Sequence, residues 1–329
     1  MTPASANPAP PNSSRIARFA WFVVFYNVLV IVWGALVRAS GSGAGCGNRW
    51  PLCNGQVIPV SPGFHTIIEF THRMMVGGST LLVLALLIWS FRATVKGQAA
   101  RALAVISTLL LLNEAFLGAL LVKLNYVTVN QSTGRIVLLS IHLGNTMLLM
   151  AALTLTARFL STGQRWADLP LTHRLVGIVE GLVTTIFVGV TGSVAALGDT
   201  LFPAPKLHAS IAQDLASGSP MLLRLRLVHP ALAVIAALFA IWLAAQSCRA
   251  APGQSPAYHT IRVRLANLLL ILLALQFALG IMDVLLLAPA WMQLLHLLGA
   301  DLFWIALVLV AAETLWPAAA IPVPAAKPA

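Results

Sequence analysis

Four histidines, His72, His142, His229 and His296, stand inside long apolar segments of this 329-residue chain. His142 follows His72 by 70 residues and His296 follows His229 by 67, so the same pair recurs in each half. A single imidazole in an apolar helix can serve as a hydrogen-bonded packing residue. Four at one depth, two per half, carry a different meaning. At 1.5 Å per residue all four fall roughly 10 Å below the same surface. Two imidazoles facing each other from separate helices of a four-helix bundle form an axial pair for a haem iron. Zinc and copper sites fit less well, because they gather their ligands closely, with Cys or carboxylate nearby. The other histidines, His65, His173, His208 and His259, lie in loops or at segment ends and are read as solvated.

Glu69 precedes His72 by three residues and so shares its helix face. One reading makes it an i,i+4 partner of Arg73. The other makes it a carboxylate at a porphyrin edge that moves protons or stabilises positive charge, the default reading of an intramembrane acid. In the second half Arg226 stands three residues before His229, so only one site has an acid beside its histidine. One half can then do chemistry while the other stores or passes electrons. Arg38, Arg73, Arg224 and Arg226 lie where haem propionates would sit, or where arginines snorkel to the interface, and both readings stand. Glu114 matches Gln276 between the halves and is expected to hydrogen-bond between helices; Asp301 receives no role. Cys46 and Cys53 lie in one loop on the oxidising side, where a disulfide is expected, as a staple or as a redox-active pair. Cys248 is expected to be a free thiol.

Composition says what must position these groups. The chain is 59% hydrophobic and 9% charged, against about 25% charged in soluble domains, and its mean hydropathy is +0.89. These values exclude an ordinary soluble enzyme, a nucleic-acid module and a disordered chain. The net charge of +11 is read as positive-inside topology and attraction to anionic lipid, not as affinity for nucleic acid. Eight apolar segments are predicted, at 19–38, 67–91, 101–122, 136–159, 174–197, 227–247, 263–287 and 291–315. All are read as helices, because lipid offers backbone polar groups no other partner. The expected architecture is an all-α membrane protein of eight transmembrane helices in two repeated four-helix bundles, with both termini cytoplasmic. Twelve of the Lys and Arg residues then fall inside and eight outside. The expected organisation is a disordered tail at 1–15, an N-terminal half at 16–160, a C-terminal half at 161–316 and a C-terminal tail at 317–329.

The repeat shows in matched segments. Gly34 in span one matches Gly192 in span five, and Glu114 to Gly118 in span three matches Gln276 to Gly280 in span seven. Long outer loops, 39–66 and 198–226, recur at the same place in each half.

Taken together, Gly34-Ala-Leu-Val-Arg38, Gly43-Ala-Gly-Cys46, Trp50-Pro-Leu-Cys53, Glu69-Phe-Thr-His72-Arg73 and the three later histidines resemble the haem A synthase family. The resemblance runs from about residue 16 to 316. It implies oxidation of the C8 methyl of haem O to a formyl group by way of an alcohol, for terminal oxidase assembly in the bacterial cytoplasmic membrane. It implies that His72 and His142 hold the substrate haem O, with Glu69 catalytic, and that His229 and His296 hold a resident haem b. Cys46 and Cys53 would be the family's first-loop pair. Some members carry a second cysteine pair between spans five and six; residues 198–220 here contain none.

Two other readings are a dihaem b-type electron-transfer protein and a haem transporter. Glu69 on one side only argues against the first. Histidines near one face argue against the second, whose site belongs near mid-membrane. A haem O synthase is disfavoured by the lack of an acidic prenyl-diphosphate motif. The expected partners are haem O, a haem O synthase, an electron donor or acceptor, the bilayer and, as an open option, a second copy of the chain.

Overall fold

The computed structural model describes residues 13–163, 173–249 and 256–316. Most of the expected N-terminal tail and all of the C-terminal tail lie outside these residues; Ser13–Arg15 already belong to the first helix. Ten helices are present among the described residues: α1 (Ser13–Ala39), α2 (Phe64–Ala93), α3 (Ala99–Lys123), α4 (Thr133–Thr162), α5 (His173–Leu201), α6 (Leu207–Leu215), α7 (Met221–Arg226), α8 (Val228–Cys248), α9 (Pro256–Leu285) and α10 (Ala290–Leu315). No strand occurs among them.

Eight stretches are long and apolar enough to cross a membrane, with α7 and α8 together making the sixth, Met221–Cys248. That span begins at Met221 rather than 227 and is interrupted at Leu227. The short α6 lies in the preceding loop, where no helix was expected.

Each span closes its own backbone hydrogen bonds, as hydrocarbon requires. Some hydroxyls within spans are satisfied in the same way: Thr108 donates to the Ala104 carbonyl and Thr156 to the Ala152 carbonyl, each four residues back, whereas Ser90, Ser107 and Thr154 leave buried hydroxyls unbonded. Ser132 caps α4 by accepting from the Arg135 N–H, and Gly163 ends it at φ +69, a left-handed conformation that glycine adopts without strain. Large apolar side chains such as Leu81, Leu109, Leu238 and Ile271 point away from the protein. In water that surface would be an aggregation liability; in lipid it is a solvated one.

Packing follows two rings. Helix α1 packs on α2, α2 on α3, α3 on α4, and α4 back on α1. In the same manner α5 packs on α8, α8 on α9, α9 on α10, and α10 on α5. The rings meet where α4 and α1 pack on α10 and α4 packs on α5. Polar contacts cross that seam. Trp304 donates to the Met147 carbonyl at 2.8 Å. Arg158 pairs with Glu313, which also accepts from Tyr258. Arg38 on α1 donates to the Ala196 carbonyl and Thr200 on α5 and to Gln293 on α10.

Candidate haem sites

The four span histidines lie on α2, α4, α8 and α10, every second span, so all enter from the same side. His72 is eight residues past Phe64, His142 nine past Thr133, His229 eight past Met221 and His296 six past Ala290. Within each ring the two histidine-bearing helices are diagonal.

In the second ring the rings of His229 and His296 stand 6.4 Å apart, centroid to centroid, at 86°. A metal–imidazole bond is about 2 Å long and the ring centroid lies about 1 Å beyond the nitrogen, so two trans imidazoles on one iron set their centroids roughly 6 Å apart. Nδ1 of His229 lies 3.0 Å from the Val188 carbonyl oxygen. A carbonyl only accepts, so Nδ1 carries the proton and Nε2 keeps the lone pair that a metal needs. Among the described residues no three or more His, Cys, Asp or Glu are placed to share a metal ion. Two histidines alone suit a group that brings its own four in-plane nitrogens. The residues present fit a haem.

In the first ring Nδ1 of His72 is buried and makes no hydrogen bond. Nδ1 of His142 approaches Glu114 Oε1 at 3.3 Å but is not aligned for a good hydrogen bond. Glu114 accepts from Asn145 Nδ2 at 2.5 Å and from the Thr146 hydroxyl, both on α4, so it bonds between helices as expected. Its position beside His142 was not legible, since residues 114 and 142 are far apart in sequence. Gln276, its match in the second half, leaves Nε2 buried and unbonded.

Glu69 is buried, with 3% of its surface exposed. Its Oε1 accepts from Arg73 at 2.5 Å, the i,i+4 pair that was one of the two readings. Its Oε2 accepts from the backbone N–H of Cys46 at 2.8 Å. Arg73 also donates to the carbonyls of Leu52 (3.0 Å) and Pro51 (3.3 Å). Cys46 and Cys53 form a disulfide, and Thr66 of α2 donates to Gly45 at 2.8 Å. The loop therefore sits on the first turns of α2, held by the acid and the arginine. A Cβ at Gly45 would run into the backbone of His65, so only glycine permits this approach. Cys248 is free and exposed.

The other arginines differ in availability. Arg226 pairs with Asp199 at 2.5 Å and Asp214 at 2.6 Å, partners the sequence did not announce. Arg224 is exposed and donates to the Ser217 carbonyl. Arg38 makes no ion pair among the described residues; its guanidinium donates to the neutral oxygens of Ala196, Thr200 and Gln293. Asp301 leaves Oδ2 buried and unbonded. His65 and His208 are exposed as expected. His259 is half-buried in α9 instead, because it falls inside a helix that begins earlier than the predicted segment. The side chain of His173 lies outside the described residues.

A sequence model of the cytochrome oxidase assembly proteins (COX15-CtaA) matches residues 17–308, nearly the whole described chain. The chain belongs to this family. A Thermus thermophilus protein named protohaem IX farnesyltransferase is 42% identical over 310 residues, covering 93% of this chain and 49% of that protein. A haem A synthase of Shouchella clausii is 40% identical over 131 residues, 40% of this chain and 41% of the relative. One from an Exiguobacterium species is 33% identical over 188 residues, 56% and 60% respectively. The chain thus spans about half the length of the Thermus relative and three fifths or less of the other two. Eight apolar spans and bacterial relatives of the assembly family make it a multi-pass bacterial membrane protein.

Proposed function

We propose that this chain is a haem A synthase of the cytoplasmic membrane, oxidising the C8 methyl of haem O to a formyl group through an alcohol. The observation that carries the reading is the facing pair His229 and His296 at 6.4 Å, repeated in type by His72 and His142, in a chain of the assembly family. His229 and His296 hold a resident haem b. His72 and His142 hold the substrate haem O. Arg38, which among the described residues donates to neutral oxygens and makes no ion pair, offers its charge to propionates; Arg73 and Arg226 are already paired with carboxylates, and Arg224 is exposed with one bond, to the Ser217 carbonyl.

Methyl to formyl, with water supplying the oxygen atom through the alcohol, releases four protons and four electrons, and the electrons pass to an external acceptor. Haem b supplies one-electron relay chemistry to that traffic. The contribution of this chain is placement. Glu69 lies one helical turn from His72 and is fixed at both oxygens, so its charge is held still. A preorganised carboxylate stabilises positive charge developing at a nearby carbon and takes up its proton. No acid stands at the matching place beside His229, where Arg226 is found.

Farnesylation of protohaem produces the haem O used here. A relative named for that reaction, with half its length outside the match, supports a haem O synthase as the working partner. The test is chromatography of haems extracted from the purified protein. Haem A or its alcohol precursor together with haem b supports the proposal; haem b as sole haem identifies an electron-transfer protein instead.

A further inference from the structure

Each span histidine lies against a glycine of the preceding span. The nearest atom to a Cβ built on Gly34 is Cε1 of His72, at 3.0 Å. For Gly192 it is Cε1 of His229, at 2.9 Å, and for Gly280 it is Cε1 of His296, at 3.2 Å. For Gly118 it is Cε1 of His142, at an ordinary 3.8 Å. These are the glycines that mark the internal repeat. Glycine weakens a helix interior relative to alanine, so four of them at matching places call for a local reason.

We propose that Gly34, Gly192 and Gly280 are positioning residues for the haem ligands His72, His229 and His296, and that Gly118 places no such constraint on His142. This rests on the haem reading above. An unligated imidazole escapes a new methyl group by a small rotation about its side-chain bonds. A ligated one would be held at Nε2, and the methyl would press the adjoining Cε1, so the ring could not turn away without moving its ligating nitrogen. The cost of a Cβ therefore falls on ligation rather than on folding.

The experiment compares Gly192→Ala, Gly280→Ala, Gly34→Ala and Gly118→Ala with wild type and with Gly77→Ala, a position in α2 where nothing lies within 4 Å. Optical and electron paramagnetic resonance spectra are taken on monodisperse detergent-solubilised protein, with thermal unfolding of haem-free protein in parallel. Gly192→Ala and Gly280→Ala are expected to lose the low-spin signal of the second-half haem, and added free imidazole is expected to restore it. Gly34→Ala should lose only the first-half signal. Gly118→Ala and Gly77→Ala should match wild type, and none of the five should unfold earlier without haem. Wild-type low-spin spectra in the first three variants would overturn the proposal. So would variants that fold poorly while the surviving protein keeps a wild-type spectrum, since that is packing alone. A wild-type protein without six-coordinate haem would overturn the underlying reading first, and that result is visible before any variant is made.

Discussion

The backbone N–H of Cys46 donates to Oε2 of Glu69 at 2.8 Å, joining the disulfide loop to the acid beside His72. The loop and the acid are one structural unit: Arg73 closes it by gripping Glu69 and two loop carbonyls at once. Changes on either side should be felt on the other.

Glu69→Gln keeps an acceptor for Cys46 and removes the charge. Haem b content should be unchanged and haem O should still bind. Haem A should fall by about 10²–10⁴, the usual loss with one catalytic proton acceptor, with haem O or its alcohol accumulating in extracted haems. Near-normal haem A would leave Glu69 as a partner of Arg73 only. Glu69→Ala strips Arg73 of its counter-charge and should also cost about 3 kcal/mol of stability in thermal unfolding.

Replacing both Cys46 and Cys53 by Ser opens a loop closed across seven residues of sequence separation. Short loops of this kind contribute roughly 2–3 kcal/mol in the chain-entropy model. A lower unfolding temperature is expected, together with reduced haem A, because the Cys46 N–H that orients Glu69 is no longer held. Mass spectrometry after alkylation of unreduced wild-type protein should find both thiols blocked.

His229→Ala and His296→Ala should each abolish the low-spin haem b spectrum, since each removes one axial ligand. His72→Ala and His142→Ala should leave that spectrum intact and lose substrate haem. Retention of haem b in both second-half variants would contradict the assignment.

Glu313→Gln tests the seam at the far end of the molecule, where Arg158 of α4 and Tyr258 of α9 converge on α10. Breaking a buried pair costs about 3 kcal/mol. Thermal stability should drop while both haem spectra stay unchanged, as the site lies about 17 residues along α10 from His296.

Much was determined by the sequence alone. Eight apolar segments of sufficient length become helices because hydrocarbon leaves a backbone nothing else to bond with. That is why segments such as 291–315 agree with α10 to within a residue. The placement of the four histidines at one depth follows from the same one-dimensional ruler, as does the neighbourhood of Glu69, His72 and Arg73 on one helix. The break at Leu227 and the short α6 escaped it, since amphipathic interfacial turns carry little hydropathy signal.

Only tertiary structure decided which groups meet across helices. Arg73 and Arg226 look alike in the sequence, yet one closes on a loop carboxylate unit and the other on Asp199 and Asp214. Glu114 reaches His142, while Gln276 makes no matching bond. The glycines that register as a repeat turn out to lie under imidazoles. Hydropathy and period act along one chain segment at a time, whereas a hydrogen bond or a van der Waals contact depends on how neighbouring helices are rotated about their axes. That rotation is set jointly by every side chain in the seam, and no single segment contains it.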